Sequence, residues 1–132
     1  MPLLPAWAAD WPVGHLATSA GHVPHVVAVV FCEVGEEIWI PIDGKPKSGA
    51  KLKRVRNIET NGHVSLLVDQ YDENWSKLRW VRIDGAAEVV TMPADVAAAF
   101  RVKYPQYRST RLGDTCIRVT VRRSREWSAT TA

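Results

Sequence analysis

Apolar and polar positions alternate with a period of two along much of this chain, and two stretches switch to a helical period. Gly14-His15-Leu16-Ala17-Thr18 predicts a short strand, followed by a turn at Ser19-Ala20-Gly21-His22. Residues 23–31 are rich in valine and alternate poorly, which predicts a strand buried on both faces. Residues 33–37 contain Gly35 and predict a second hairpin turn. Ile38-Trp39-Ile40-Pro41-Ile42 is the third strand, and its proline calls for an edge, a bulge or a strand end. Val64-Ser65-Leu66-Leu67-Val68 is the fourth, and residues 69–76 form a polar loop. Residues 80–90 alternate well and predict a long fifth strand, with Gly85 at a candidate bulge. Residues 115–121 are the sixth, with 122–127 as its extension.

The first helical stretch is residues 48–60, where Leu52, Val55 and Ile58 draw one apolar stripe, Ser48 is the candidate cap and Asn61-Gly62 the stop. The second is residues 93–103, with Thr91 as cap, Pro93 in the first turn and Pro105 beyond the end. The expected class is mainly β (α+β): a six-stranded antiparallel barrel with two flanking helices, one domain over residues 1–132. Strand edges and exposed tryptophans in so small a barrel predict a second copy covering them, hence a homodimer.

Composition narrows the class. The 46% hydrophobic and 23% charged fractions exclude a disordered or collagen-like chain. No apolar run approaches the roughly 20 residues of a membrane-spanning helix, and the apolar N-terminus lacks the basic region of a signal peptide. Cys32 and Cys116 are too few for a disulfide framework and read as buried thiols of a cytoplasmic protein.

Charge is distributed unevenly. Lys45, Lys47, Lys51, Lys53, Arg54 and Arg56 stand without an acid among them, so a total of +3 leaves the rest of the chain net negative. A compact basic block at a strand–loop–helix junction predicts a discrete anion site, a phosphate with a longer anionic tail. A nucleic-acid-binding barrel, with the basic helix on phosphates and some of the six tryptophans stacked on bases, is the alternative from another class. The compactness of the charge and the acidic balance elsewhere argue against nucleic acid as partner. His15, His22, His25 and His63 show no metal-ligand spacing, and no nucleophile motif or dinucleotide fingerprint occurs. No catalytic side chain is identified, which favours a bound cofactor as the source of the chemistry.

The order of several motifs resembles a known family. His15-Leu16-Ala17-Thr18, Pro24-His25-Val26-Val27, Ile40-Pro41-Ile42-Asp43, Lys45-Pro46-Lys47, Leu52-Lys53-Arg54-Val55-Arg56-Asn57-Ile58 and Val64-Ser65-Leu66-Leu67-Val68-Asp69 resemble the split β-barrel flavin and deazaflavin proteins of the pyridoxamine 5′-phosphate oxidase-like family. Asp72-Glu73-Asn74-Trp75-Ser76 and Trp80-Val81-Arg82-Ile83-Asp84-Gly85 resemble its actinobacterial branch, which uses the deazaflavin coenzyme F420. The resemblance implies a homodimer with coenzyme sites between subunits. It implies that Ile40, Pro41, Ile42 and Asp43 run along the tricyclic ring, that Lys47, Lys51, Lys53, Arg54 and Asn57 lie nearest the phosphate or tail, and that Trp80 and Trp127 reach the ring from the second subunit. The implied activity is an oxidoreductase passing hydride to an enone, quinone or bilin-like acceptor. An FMN-dependent enzyme of the same fold and a non-catalytic coenzyme carrier are the neighbouring readings. The chain ends soon after Arg125-Glu126-Trp127, so the extended substrate-phosphate site of the vitamin oxidases is not expected.

Overall fold

The computed structural model describes residues 3–42 and 52–130. Seven strands form one antiparallel sheet: β1 (Gly14–Ala20), β2 (Val23–Val29), β3 (Cys32–Val34), β4 (Glu37–Pro41), β5 (His63–Gln70), β6 (Arg79–Thr91) and β7 (Thr115–Ser128). Their order is β2-β1-β5-β6-β7-β4-β3. Three helices accompany them: α1 (Ala6–Ala9), α2 (Lys53–Thr60) and α3 (Ala94–Lys103).

The sheet curls around its own inner face. Leu16 of β1, Val29 of β2, Ile40 of β4, Leu66 of β5, Ile83 of β6 and Ile117 of β7 belong to one buried cluster. Side chains from opposite ends of a single sheet meet only if the sheet wraps around them. The wrap is not a closed barrel, because β2 and β3 are its two edges and do not pair. Alternation along β1 and β5 puts Leu16, Val64, Leu66 and Val68 inside and leaves His15, Ala17, Ser65, Leu67 and Asp69 on the outer face.

Two-residue turns join the short hairpins. Gly21 and His22 both have positive φ, 56° and 66°, matching the twist of the flanking strands. Gly85 serves close approach instead. A Cβ there would lie 2.4 Å from the Thr120 carbonyl oxygen, at the register shift between β6 and β7. The register shifts at Gly85 as expected, but the extra residue is Arg122 of β7, so the bulge lies in the strand opposite.

Several expectations are corrected. The described residues form seven strands rather than six, because Cys32-Glu33-Val34 pairs with Glu37-Ile38-Trp39 and confines the turn to Gly35-Glu36. A strand of three residues leaves too little alternation to stand out from the apolar run before it. That run is not buried on both faces: β2 is an edge strand, with Val23 and Val26 about 60% exposed. The described residues form three α-helices, where two or so were expected. The four-residue α1 is too short for periodicity, and its Ala8, with Leu4, enters the main core. Helix α2 begins at Lys53, with Leu52 in extended conformation at its N-cap; the expected cap at Ser48 lies outside the described residues. Pro93, not Thr91, occupies the N-cap of α3, and Thr91 ends β6.

Helix α2 packs on β1 and β6, burying Val55 and Ile58. Helix α3 packs on β3 around a second core of Phe100, Val96, Tyr104, Trp39, Cys32 and Cys116. The Tyr104 hydroxyl donates to the Pro12 carbonyl at 2.9 Å and accepts from the Phe31 N–H at 3.1 Å. Lys103 donates to the Phe31 carbonyl at 2.8 Å and lies 3.6 Å from the centroid of the Phe31 ring.

This second core makes stability fall in alkali. Burial pushes the Cys32 thiol from 9.0 up to about 12 and the Cys116 thiol up to about 11. Both thiols keep their protons when folded and release them near pH 9 when unfolded, so their contribution is full below that pH and is lost through 11 to 12. Burial also lowers Lys103 from 10.5 to about 8, which acts in the opposite sense: its penalty lifts as pH rises from 8 to 10.5. Two thiols outweigh one amine above pH 9. Denaturant midpoints are therefore expected to fall between pH 9 and 11, and to fall less in a Cys32→Ala, Cys116→Ala variant.

Candidate functional site

Strand β4 presents a bare stretch of backbone. On one side its register with β7 runs from Glu37 through Pro41, and the Ile42 N–H donates to the Thr115 carbonyl at 3.2 Å. On the other side pairing with β3 stops at Trp39. Among the described residues no strand pairs with β4 on that side beyond Trp39. Peptide groups alternate in direction along a strand, so the Pro41 carbonyl faces the open side, and proline has no N–H to leave unpaired there. Ile40 and Pro41 are buried, and Ile42 packs against the main core.

The basic segment follows directly. Asp43, Lys47 and Lys51 lie outside the described residues. Lys53 is exposed and Arg54 half-buried in the first turn of α2. Asn57 is 3% exposed, and its side-chain amide donates to the Thr18 hydroxyl at 3.0 Å, tying α2 to β1.

Trp80 and Trp127 are brought together. They are direct cross-strand partners of β6 and β7 on the outer face, Trp80 half-buried and Trp127 45% exposed. Trp80 is also opposite Asp69 of β5 and forms one wall of a groove of about 450 Å³ that His15, Leu67, Asp69 and Arg82 also line. An adjoining hollow of about 560 Å³ is lined by Arg82, Asp84, Arg122 and Arg123.

Asp84 lines this hollow, and Ser65 and Arg82, which bind it, line both cavities. It accepts from the Ser65 hydroxyl at 2.6 Å, from Arg82 Nε at 3.1 Å and from Arg123 Nε at 3.3 Å. The Ser65 hydrogen bond first, then Arg123 and Arg82, hold its carboxyl below the usual range against the opposing effect of burial. The hollow therefore carries three guanidinium groups against one carboxylate. Sequence reasoning missed this second basic cluster, although Arg122-Arg123-Ser124-Arg125 is visible as a run. The run by itself does not mark a site, because only the β6–β7 register sets Arg123 opposite Asp84. Among the described residues no cluster of metal-ligating side chains occurs, and no helix is long and apolar enough to cross a membrane.

The profile of the pyridoxamine 5′-phosphate oxidase family matches residues 6–128. Among solved structures, the conserved hypothetical protein Rv2991 of Mycobacterium tuberculosis is 24% identical with a TM-score of 0.70, covering 98% of this chain and 87% of that one. A FAD-binding protein of Mesorhizobium loti is 17% identical with a TM-score of 0.66, covering 93% and 94%. The heme storage protein HutZ of Vibrio cholerae is 16% identical with a TM-score of 0.67, covering 89% and 85%. At such identities the likeness is one of fold. A search of curated protein sequences returns no match.

Proposed function

Because the chain belongs to the pyridoxamine 5′-phosphate oxidase family, we propose that it is an oxidoreductase that binds a phosphorylated tricyclic redox coenzyme, the deazaflavin F420, as a homodimer. The observation that carries this reading is the junction after Pro41, where a strand whose edge is unpaired on one side among the described residues is followed, beyond Ile42-Asp43-Gly44, by six cations with no acid among them. The open edge suits a planar ring that hydrogen-bonds to backbone, and the segment suits a phosphate. Six cations between Lys45 and Arg56 exceed what one phosphate needs, which favours F420 and its anionic tail over FMN.

The chemistry such a coenzyme supplies when bound is hydride transfer. The chain's own part is to anchor the phosphate through Lys53 and Arg54, with Lys47 and Lys51 alongside, and to orient the ring along Ile40, Pro41, Ile42 and Asp43. Trp80 and Trp127 of the partner copy cover the ring and exclude water. The exposed Val26 and Trp127 on the same outer face fit burial against that copy.

Titration of F420 and of FMN, followed by coenzyme fluorescence, tests the reading. F420 is expected to bind at micromolar affinity or better. A Lys53→Ala, Arg54→Ala double variant that keeps its circular dichroism spectrum should bind about 10- to 100-fold more weakly. Unchanged affinity in that variant contradicts the anchor, and tight binding of FMN alone replaces F420 with FMN.

A further inference from the structure

We propose that the arginine-lined hollow beside Asp84 is an anion site of its own, and that it takes a compact dianion of the phosphate-monoester class. The site uses none of the residues assigned to the coenzyme. Arg82 of β6 and Arg122 and Arg123 of β7 line the hollow, and Lys53 and Arg54 do not. Consecutive side chains of a regular strand point to opposite faces. At the register shift Val121 stands opposite Gly85 and Arg123 opposite Asp84, so Arg122 is the extra residue. That bulge lets both arginines of β7 line the same hollow.

The side-chain hydrogen bonds left open there are donors. Asp84 engages Arg82 and Arg123 through their Nε atoms, at 3.1 and 3.3 Å. The carboxylate fixes the direction of both guanidinium planes and leaves their terminal nitrogens for a ligand. From β1, the Thr18 hydroxyl accepts from Asn57 at 3.0 Å and the Ser19 hydroxyl from Asn61 at 3.1 Å, so each has its own proton to give. The Ser65 hydroxyl spends its proton on Asp84 at 2.6 Å. His63 adds a ring N–H to the lining.

A ligand that only accepts, with a charge near −2, matches this lining. The three guanidinium groups exceed the one carboxylate by two charges. A phosphate monoester carries about −1.5 to −2 at neutral pH, on three acceptor oxygens. Paired N–H groups of a guanidinium fit two of those oxygens at once. A dicarboxylate has the same charge but spreads it over two separated ends. Here Arg82 and Arg123 grip one carboxylate and Arg122 is next in the chain, so the cations converge on one point. At about 560 Å³ the hollow exceeds a phosphate group and leaves room for the organic part of the ester. Ala17, Ser65 and Arg82 continue the lining into the groove toward Val26 and Leu67.

Titration of the ¹⁵N-labelled full chain with glycerol 2-phosphate, and separately with succinate, tests this near neutral pH. The arginine Nε–Hε and backbone amide resonances report where each anion sits. Saturable shifts are expected at Arg82, Arg123 and Thr18, with a Kd of about 1 mM or below for the phosphate ester. An Arg122→Gln, Arg123→Gln double variant should bind about 10-fold more weakly or worse, read at Arg82 and Thr18. Arg122→Gln alone spares the contacts to Asp84, and it should weaken binding in the same direction if the double variant fails to fold. Lys53→Ala, Arg54→Ala should leave the shifts in the hollow within about twofold, which keeps this site distinguishable from the coenzyme anchor. Absence of saturable shifts at Arg82 and Arg123 overturns the site. So does an unchanged Kd in the folded arginine variants, or loss of the shifts in the folded Lys53→Ala, Arg54→Ala protein. Tighter binding of succinate than of glycerol 2-phosphate overturns the phosphate-monoester class.

Discussion

Replacing Gly85 with alanine is expected to cost about 4 kcal/mol, at the severe end for one added methyl group. The new Cβ would stand 2.4 Å from the Thr120 carbonyl oxygen and 2.9 Å from Val119 Cγ1. The carbonyl belongs to the backbone of β7 and cannot swing aside as a flexible side chain does. The clash falls at the register shift between β6 and β7, so relief requires separating the sheet's two longest strands. The consequence reaches the site: beyond the shift, the same register sets Arg123 opposite Asp84 and Trp127 opposite Trp80. Thermal unfolding should show a midpoint about 15 °C below wild type, with reduced near-ultraviolet signal from the tryptophans. A midpoint within a few degrees would show that β7 yields easily there.

Phe100→Ala carries the second large effect, about 4 kcal/mol. Phe100 is 0% exposed and central to the second core, with ring centroids 6.2 Å from Tyr104 and 6.3 Å from Tyr107. Its loss leaves a cavity between α3 and β3 and forfeits two aromatic contacts. Because β3 is a three-residue edge strand, α3 is its main support on that face. The Cys32 thiol, buried beneath that helix, should then react faster with a thiol reagent. Phe100→Leu should cost roughly 1 kcal/mol, separating packing volume from aromatic geometry in the same denaturation experiment.

Legibility in the sequence follows the strength of each physical signal. Strands β5, β6 and β7 were readable because alternation over many residues reports a sheet with one buried face. The glycine in β6 marked the position of the register shift because an isolated glycine in a strand implies close approach, but the extra residue, Arg122, stands in β7. Strand β3 and helix α1 were not, because three or four residues complete no period. Strand β2 misled because Val23 and Val26 are apolar yet exposed. The tryptophan pair was nameable only through family resemblance, since periodicity does not reveal which β6 residue faces which β7 residue. The His15–Asp69 pair was invisible for the same reason: its members are far apart in sequence and meet through the β1–β5 register. Asn57 was grouped with the phosphate ligands through the family resemblance, and its hydrogen bond to Thr18 required knowing that α2 lies over β1.

The central claim is that a coenzyme ring lies along the open edge of β4 in one protomer and under Trp80 and Trp127 of its partner. A crystal structure of the protein soaked with F420 measures this directly. The account predicts a dimer, with ring density beside Ile40, Pro41 and Ile42 of one copy, the partner's indoles against the ring, and phosphate density at Lys53 and Arg54. Density for the ring away from the β4 edge, or a coenzyme held by a single protomer with both tryptophans in solvent, would contradict it.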